Sequence, residues 1–211
     1  MKTEHQRLLL DIARDAIFSK LENVDATFAG VTARASPFQC SEEKFPDLPP
    51  SPEGSCATRG KIPDELKEER ATFVTLTLDG NLRGCIGMLE ACRPLAEDVA
   101  KNAVSAAFCD PRFPPLSREE FDDLKISISV LSPPEEMAFS DEADLLEQIR
   151  PGVDGLVLQE GFRKGTFLPS VWEELPDKEI FFEHLKLKTR LPAGYWSDTL
   201  RVSRYSAEYI Q

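Results

Sequence analysis

Histidine is scarce in this sequence: among 211 residues there are only two, His5 and His184. No histidine or cysteine stands in the H-x-x-x-H or C-x-x-C spacing of a zinc site, so no metal centre is predicted. A P-loop, a G-x-G-x-x-G turn after a strand and a G-x-S-x-G elbow are missing as well. The sequence therefore predicts no cofactor, and it lacks the motifs of common nucleotide-binding and hydrolytic enzymes.

Long apolar runs and an excess of positive charge are also absent. No stretch approaches the ~18 apolar residues of a membrane-spanning helix, and Asp11 and Arg14 interrupt the N-terminal apolar residues, which argues against a signal peptide. The net charge is -12. Phosphate backbones repel such a chain, so general nucleic-acid binding is not expected. Membrane insertion is not expected either, because a long apolar run is missing. The local cluster of Lys186, Lys188 and Arg190 is more typical of a solvated face than of a basic binding patch.

Cysteine usage and proline distribution suggest the compartment and the organisation. The five cysteines are an odd number in a chain without a signal peptide, which predicts reduced thiols and a cytoplasmic protein. Proline interrupts a loop or arm over residues 35–65 that carries Cys40 and Cys56. A single domain is expected over the whole chain, with an N-terminal helix over 1–24, this arm, and two repeats over 66–135 and 136–211.

The most informative stretch is Asn81–Gly87, Asn-Leu-Arg-Gly-Cys-Ile-Gly, in which Cys85 stands between two glycines and Arg83 precedes it by two residues. An alternating apolar run and the turn signal Asp79-Gly80 come before it, a pattern typical of strand, tight hairpin and strand. Because side chains alternate along a strand, Arg83 and Cys85 are expected on one face. A cation beside a thiol favours the thiolate.

Periodicity and capping signals predict the remaining elements. Apolar residues at helical intervals predict an amphipathic helix near the N-terminus, and alternation predicts strands after it. The predicted elements are helices over 3–22 and 94–108, a short helix opened by Ser117 and Glu120, a strand over 125–131, a helix from 140 or 141 that Pro151 stops, strands over 156–159 and 163–168, helical pieces over 171–175 and 178–190, and a strand over 200–205.

The second half of the chain repeats features of the first. When the sequence is aligned with itself so that Gly80 matches Gly161, the two hairpins share a cation, a glycine and a small residue in the same order. In this alignment Lys164 corresponds to Arg83, and Thr166 corresponds to Cys85. Both halves then read strand, acidic-glycine turn, strand, helices and strand. This is weak support for an internal duplication, because turns commonly place Asp or Glu before Gly.

A family resemblance rests on the hexapeptide Leu82–Gly87 and on later blocks in the same order. The hexapeptide resembles the signature of the AMMECR family, called AmmeMemoRadiSam system protein A in bacteria. Similar blocks follow over residues 66–205, at Asn102–Val104, Phe108–Leu116, Ile128–Pro134, Gly152–Leu156, Gly165–Pro169, His184–Lys186 and Tyr195–Trp196.

The resemblance implies an α+β fold in which two related β/α repeats share one barrel-like, mainly antiparallel sheet, preceded by an N-terminal helix. The family is recognised by its sequence and fold rather than by an established reaction. Its bacterial name implies Memo-type and radical-SAM proteins as partners. Since the radical-SAM cysteine triplet is missing, this chain is not expected to be the iron-sulfur component.

The hexapeptide supplies the first candidate site residues. Cys85 is either a reactive nucleophilic or redox thiol or a small apolar side chain in a packed strand. Arg83 is either a clamp for a carboxylate or phosphate or an exposed cation paired with Glu90 or another nearby acid. Gly84 and Gly87 either leave the backbone open to a ligand or allow close packing.

Two residue pairs and one histidine complete the candidates. Asp110 and Arg112 lie in a proline-stiffened loop, which either positions polar groups for a ligand or is a turn whose Asp caps backbone N–H groups and pairs with the Arg. Lys164 and Thr166 either line the same groove from the second repeat or belong to an ordinary hairpin. His184 is either a general base for the thiol or a helix-face residue without chemistry.

Two functions of different classes follow. The first is an accessory protein that binds a small anionic ligand or a partner protein at the face carrying Arg83, Cys85 and the 110–112 loop. The second is an enzyme that uses Cys85 as a nucleophilic or redox thiol. A nucleic-acid regulator is disfavoured by the net charge of -12.

Overall fold

The computed structural model describes residues 1–28 and 62–211. Apart from its last four residues, the predicted arm over 35–65 lies outside the described residues, as do Cys40 and Cys56. The elements fall into two compact units, residues 1–130 with 209–211, and residues 131–208.

The elements alternate between helices and short strands along the chain. Two 3-10 helices, Asp64–Lys67 and Pro169–Glu173, supplement the longer elements. In chain order these are α1 (Thr3–Phe28), β1 (Thr72–Leu78), β2 (Asn81–Gly87), α2 (Leu95–Phe108), α3 (Arg118–Phe121), β3 (Lys125–Leu131), β4 (Glu135–Glu136), α4 (Glu142–Gln148), β5 (Gly155–Glu160), β6 (Arg163–Phe167), α5 (Lys178–Lys188), β7 (Arg201–Tyr205) and β8 (Ala207–Ile210).

The first unit is built on a four-stranded sheet in the order β2-β1-β3-β8. Strand β1 pairs antiparallel with β2 and β3, and its Val74 and Leu76 are fully buried. They share one apolar core with α2 and with one face of α1. Helix α1 contributes residues at the three- and four-residue spacing of an amphipathic helix, namely Leu9, Ile12, Ala13, Ile17 and Leu21.

The second unit is built on a sheet in the order β4-β7-β5-β6, which covers α5 and an aromatic core. Trp172 stacks on Phe181 with ring centroids 3.7 Å apart. Lys186 of α5 is fully buried, and its ammonium donates hydrogen bonds to Glu142 at 2.6 Å and to Glu183 at 2.7 Å. A buried charge needs such partners, so this cluster ties α4 to α5.

The two sheets have equivalent strand orders, which supports the predicted relation between the halves. In each sheet the second hairpin strand lies at one edge, followed by the first hairpin strand, the strand after the helices and a short strand. Gly84 packs against α2, and Gly165 packs against Thr189 at the end of α5. The short strands are exchanged, since β4 follows β3 but joins the second sheet and β8 follows β7 but joins the first.

The α+β class, the mainly antiparallel pairing and the N-terminal helix are therefore confirmed. The strands form two four-stranded sheets, however, and not the single shared sheet that was predicted. Strands β4 and β8 were not predicted, because two and four residues are too few for alternation to show.

Candidate functional site at the edge of the first sheet

Strand β2, which carries the hexapeptide, lies at the edge of the first sheet and packs against α2. A Cβ added to Gly84 would overlap the backbone oxygen of Ala106. A Cβ added to Gly87 would overlap the ring of Phe73 and the backbone oxygen of Thr72. Both glycines thus allow close packing, and this geometry corresponds to the structural one of their two predicted roles.

A β-bulge sets Arg83 apart from the regular pairing of the hairpin. The residues on either side of it pair with Thr77 and Leu76, so Arg83 has no partner residue on β1. An extra residue in one strand re-aims the side chain there. The simple alternation that predicts Arg83 and Cys85 on one face does not apply, because it assumes an uninterrupted strand.

Arg83 is only 8% exposed. Its guanidinium donates two hydrogen bonds to the carboxylate of Glu120, from Nε to Oε1 at 2.7 Å and from Nη2 to Oε2 at 3.0 Å. Nη2 also lies 3.4 Å from the backbone oxygen of Pro115. Glu120 accepts a further hydrogen bond from the backbone N–H of Ser117, in the capping box that opens α3. Of the acids that the prediction allowed, the partner of Arg83 is Glu120 and not Glu90, because the chain brings α3 back to β2.

Asp110 and Arg112 hold the backbone of Cys85. Asp110 is buried, and its Oδ2 accepts the backbone N–H of Cys85 at 2.8 Å. Arg112 donates to both oxygens of Asp110, at 2.7 and 2.9 Å, and its Nη2 lies 3.4 Å from the backbone oxygen of Cys85. The pair thus binds the two backbone groups that an edge strand would otherwise offer to a neighbouring strand.

These hydrogen bonds fix the charge states of the pair. The hydrogen bond from Arg112 holds the pKa of Asp110 well below its usual range, and the N–H of Cys85 lowers that pKa further. The same Asp110 bond raises the pKa of Arg112, with added Coulombic attraction to Asp110 and Cys85. Arg112 is therefore a cation held beside the backbone of Cys85.

The thiol of Cys85 is half-buried and has a hydroxyl neighbour. Thr75 Oγ1, directly across the hairpin, donates a hydrogen bond to its Sγ at 3.2 Å. Cys92 is also a free thiol and is exposed, whereas Cys109 is disulfide-bonded. The prediction that all cysteines are reduced is therefore wrong for Cys109.

The other predicted site residues lie in the second unit. Thr166 donates its hydroxyl to the backbone oxygen of Leu156 at 2.8 Å, and its Oγ1 lies 2.9 Å from the hydroxyl of Tyr205. Lys164 is exposed on β6, and His184 is exposed on α5. The proposed groove lined from both repeats, and the role of His184 as a base, stay predictions.

Sequence reasoning missed a second polar cluster next to the hairpin. Asp98 of α2 is 1% exposed and accepts the backbone N–H of Thr72 at 3.0 Å and its hydroxyl at 2.6 Å. Asn102 donates to Asp98 at 2.9 Å, and Arg93 donates to its other oxygen at 2.8 Å. The i, i+4 spacing of Asp98 and Asn102 on an otherwise apolar helix face was the available signal.

The Arg83–Glu120 pair makes a prediction about acid stability. Hydrogen bonding to Arg83 lowers the pKa of Glu120 from 4.5 to about 2. Because this pKa is depressed in the folded state, the stabilisation is complete above the unfolded value and is lost as the pH falls from 4.5 towards 2. We expect Glu120→Gln to cost about 2 kcal/mol at neutral pH and to flatten the stability profile in that window. Urea unfolding at a series of pH values measures both.

The exposed Asp123 provides the control for this experiment. Asp123→Asn also removes one carboxylate near α3, but it should leave the parental acid profile intact. A parental profile in Glu120→Gln would mean that the ion pair does not stabilise the fold.

Neither a metal centre nor a membrane span emerges from the described part of the chain. There, no group of three or more His, Cys, Asp and Glu side chains is placed to hold a metal ion. None of the helices in residues 1–28 and 62–211 has the length and apolar character needed to cross a bilayer.

Comparisons with known proteins find archaeal relatives over most of the chain. A protein from Methanothermobacter thermautotrophicus is 42% identical over 149 residues, which cover 70% of this chain and 78% of that protein. Protein MJ0810 of Methanocaldococcus jannaschii is 39% identical over 153 residues, covering 71% of this chain and 76% of that protein.

A solved structure is similar over almost the whole chain. The crystal structure of the uncharacterized protein PH0010 from Pyrococcus horikoshii has a TM-score of 0.74 and 31% sequence identity, and the match covers 99% of this chain and 92% of that one. The AMMECR1 family model matches residues 47–210, which include both sheets and the candidate site. Because that match spans most of the chain, this chain belongs to the AMMECR1 family.

Proposed function

We propose that this chain is an accessory protein that binds a partner protein at the face around Cys85. The supporting observation is that both arginines at the site already have a carboxylate, Arg83 through Glu120 and Arg112 through Asp110. A clamp for a small anion needs a cation that is free to bind it. The paired charges instead give a rigid, nearly neutral surface, which suits the core of a protein interface.

Hydrogen bonds also fix the edge strand around Cys85, so a partner would meet a preorganised surface. Asp110 and Arg112 bind the backbone N–H and the backbone oxygen of Cys85, so these groups are not free to pair with a strand of another protein. Partners would contact side chains around the half-buried thiol, where the ring of Phe113 lies 5.5 Å from the Arg112 guanidinium carbon. The family resemblance implies Memo-type and radical-SAM proteins as those partners.

Alkylation footprinting tests this proposal, with Cys92 as an internal control. The native protein is treated with iodoacetamide alone or with excess purified Memo-type and radical-SAM proteins from the same genome, and each thiol is followed by peptide mass spectrometry. A partner present at about ten times its Kd should slow the labelling of Cys85 about tenfold. The labelling of the exposed Cys92 should not change.

Two outcomes would count against the accessory role. One is that neither partner changes the labelling of Cys85 and no complex sediments with the chain. The other is that a partner protects Cys92 and leaves the labelling of Cys85 unchanged, since binding would then lie away from the proposed face.

A thiol enzyme is the second candidate, because Thr75 donates a hydrogen bond to Sγ and Arg112 Nη2 lies 3.4 Å from the backbone oxygen of Cys85. A hydrogen-bond donor and a neighbouring cation are common around nucleophilic thiols. On this alternative, Cys85 labels faster than the exposed Cys92 at neutral pH, and Thr75→Val removes the advantage. If Cys85 labels only after unfolding, the enzyme alternative loses its support.

A further inference from the structure

The end of α5 runs along β6 in the second unit, and three cations lie along this contact. The ammonium of Lys188 lies 4.9 Å from the centre of the Phe167 ring. Arg163, at the other end of β6, donates from Nη1 to the backbone oxygen of Arg190 at 3.0 Å. The close approach of Gly165 to the helix end lies between these contacts. Arg163, Lys188 and Arg190 thus all lie where the end of α5 meets β6, and together they are here called the cationic patch.

No residue of the cationic patch has an acidic partner in the described part of the chain. None of the three cations lies within ion-pair distance of a carboxylate there, although the chain has 37 acidic residues. Four other cations of the second unit are paired with carboxylates, in Arg150–Asp154, Lys186–Glu142, Lys186–Glu183, Arg201–Glu136 and Arg204–Glu135. Lys178 donates instead to the backbone oxygens of Leu146 and Glu147. The patch is therefore a local exception in an acidic protein.

Two features of the patch carry a conformational or solvation cost. Arg190 has a φ of 62°, in the left-handed region where glycine is normally preferred. Although much of Lys188 is exposed, its ammonium lies against the Phe167 ring, and the resulting desolvation lowers its pKa. A favourable charge at the C-terminal end of a helix accounts for part of the arrangement. It does not account for Arg163, which lies on a strand.

Exposed apolar side chains adjoin two of the cations in sequence. Phe162 is fully exposed in the β5–β6 turn directly before Arg163, and Leu187 is 53% exposed directly before Lys188. Arginine and aromatic side chains are enriched among the residues that dominate protein interfaces. The composition therefore fits a protein partner with both acidic and apolar side chains.

We propose that the cationic patch, with Phe162 and Leu187, docks an acidic peptide segment of a partner protein. Carboxylates of that segment supply the ion pairs that Arg163, Lys188 and Arg190 lack, and an apolar residue within it contacts Phe162 or Leu187. A peptide fits better than a nucleic acid, because three cations cannot offset the repulsion between a long polyanion and a chain of net charge -12. This inference concerns the second unit and does not depend on the role of the Cys85 face.

Fluorescence anisotropy with a defined probe tests the docking surface. The probe is a short fluorescein-labelled peptide of glutamates around one leucine, titrated with the whole protein at low salt. Arg163→Ala, Lys188→Ala and Arg190→Ala should each weaken binding about fivefold, and the triple variant about a hundredfold. Added salt should weaken the parental protein far more than the triple variant. Circular dichroism verifies that the variants are folded.

Matched variants separate the patch from general charge effects. Arg201→Ala removes an exposed arginine of the same sheet that already pairs with Glu136, and it should leave binding unchanged. Phe162→Ser should weaken the leucine-containing peptide more than an all-glutamate peptide of equal charge, if the aromatic ring contacts the apolar residue.

Three results would overturn the inference. They are no binding at low salt, equal binding by the parental and triple variants, and binding of an oligothymidylate of equal charge as tight as that of the peptide. The last result would assign the patch to nucleic acid. Footprinting at Cys85 tests the first unit and peptide binding tests the second, so a negative result in one experiment does not affect the interpretation of the other.

Discussion

Replacing Gly84 by alanine is expected to lower the free energy of unfolding by about 3 kcal/mol or more. The added methyl group would overlap the backbone oxygen and carbonyl carbon of Ala106 on α2. Because the obstacle is backbone, no side-chain rotation relieves it, and β2 must move away from the helix. Urea unfolding followed by circular dichroism measures the loss.

Two other glycines make this prediction specific. Gly80→Asn in the hairpin turn should cost only a few tenths of a kcal/mol, because nothing lies within 4 Å and Asn tolerates the left-handed backbone. Gly165→Ala meets mainly the side chain of Thr189, so the added change Thr189→Ala should recover part of its loss. A Gly84→Ala protein as stable as the parent would mean that β2 does not pack on α2 as described.

Replacing Asp98 by alanine is expected to cost about 3–5 kcal/mol, because it leaves buried polar groups without their acceptor. Asp98 accepts from the backbone and hydroxyl of Thr72, from Asn102 and from Arg93. Thr72 and Asn102 are buried, so water cannot readily replace the carboxylate. Asp98→Asn keeps the shape and part of the bonding and should cost less. Chemical unfolding of both variants at neutral pH tests the order.

The neighbouring Glu97 is a stringent control in the same turn of α2. Its carboxylate pairs with Lys101 at 2.7 Å on the partly exposed side of the helix. Glu97→Ala should change stability by less than about 1 kcal/mol, as is usual for a surface pair. If Asp98→Ala and Glu97→Ala lower the free energy of unfolding by similar amounts, the buried hydrogen bonds of Asp98 stabilise the fold no more than a surface pair does.

Local sequence signals predicted most of the elements because they act within a few residues. The alternation of β1 and β3, the turn between β1 and β2 and the capping box of α3 all agree with the structure. The N-terminal helix was predicted over 3–22 and extends to Phe28. Assignment of strands to sheets was less accessible, since pairing of β8 with β3 joins distant parts of the chain.

The candidate site shows the same division. The hexapeptide and the loop after α2 were predicted to carry the site residues. The contacts among those residues could not be predicted from their spacing in the sequence. A single-residue bulge in β2 separated Arg83 from the expected alternation. Glu120, Asp110 and Thr75 then became neighbours of this strand through three different elements.

The sequence by itself determined the family, the α+β class and the hairpin that carries Cys85, because motif identity, periodicity and turn chemistry are local properties. The tertiary structure alone decided which distant charges meet. It gave Glu120 to Arg83, and it left Arg163, Lys188 and Arg190 without carboxylates in the described residues. Ion pairing depends on distances of a few ångströms between residues far apart in the chain, and only packing sets those distances.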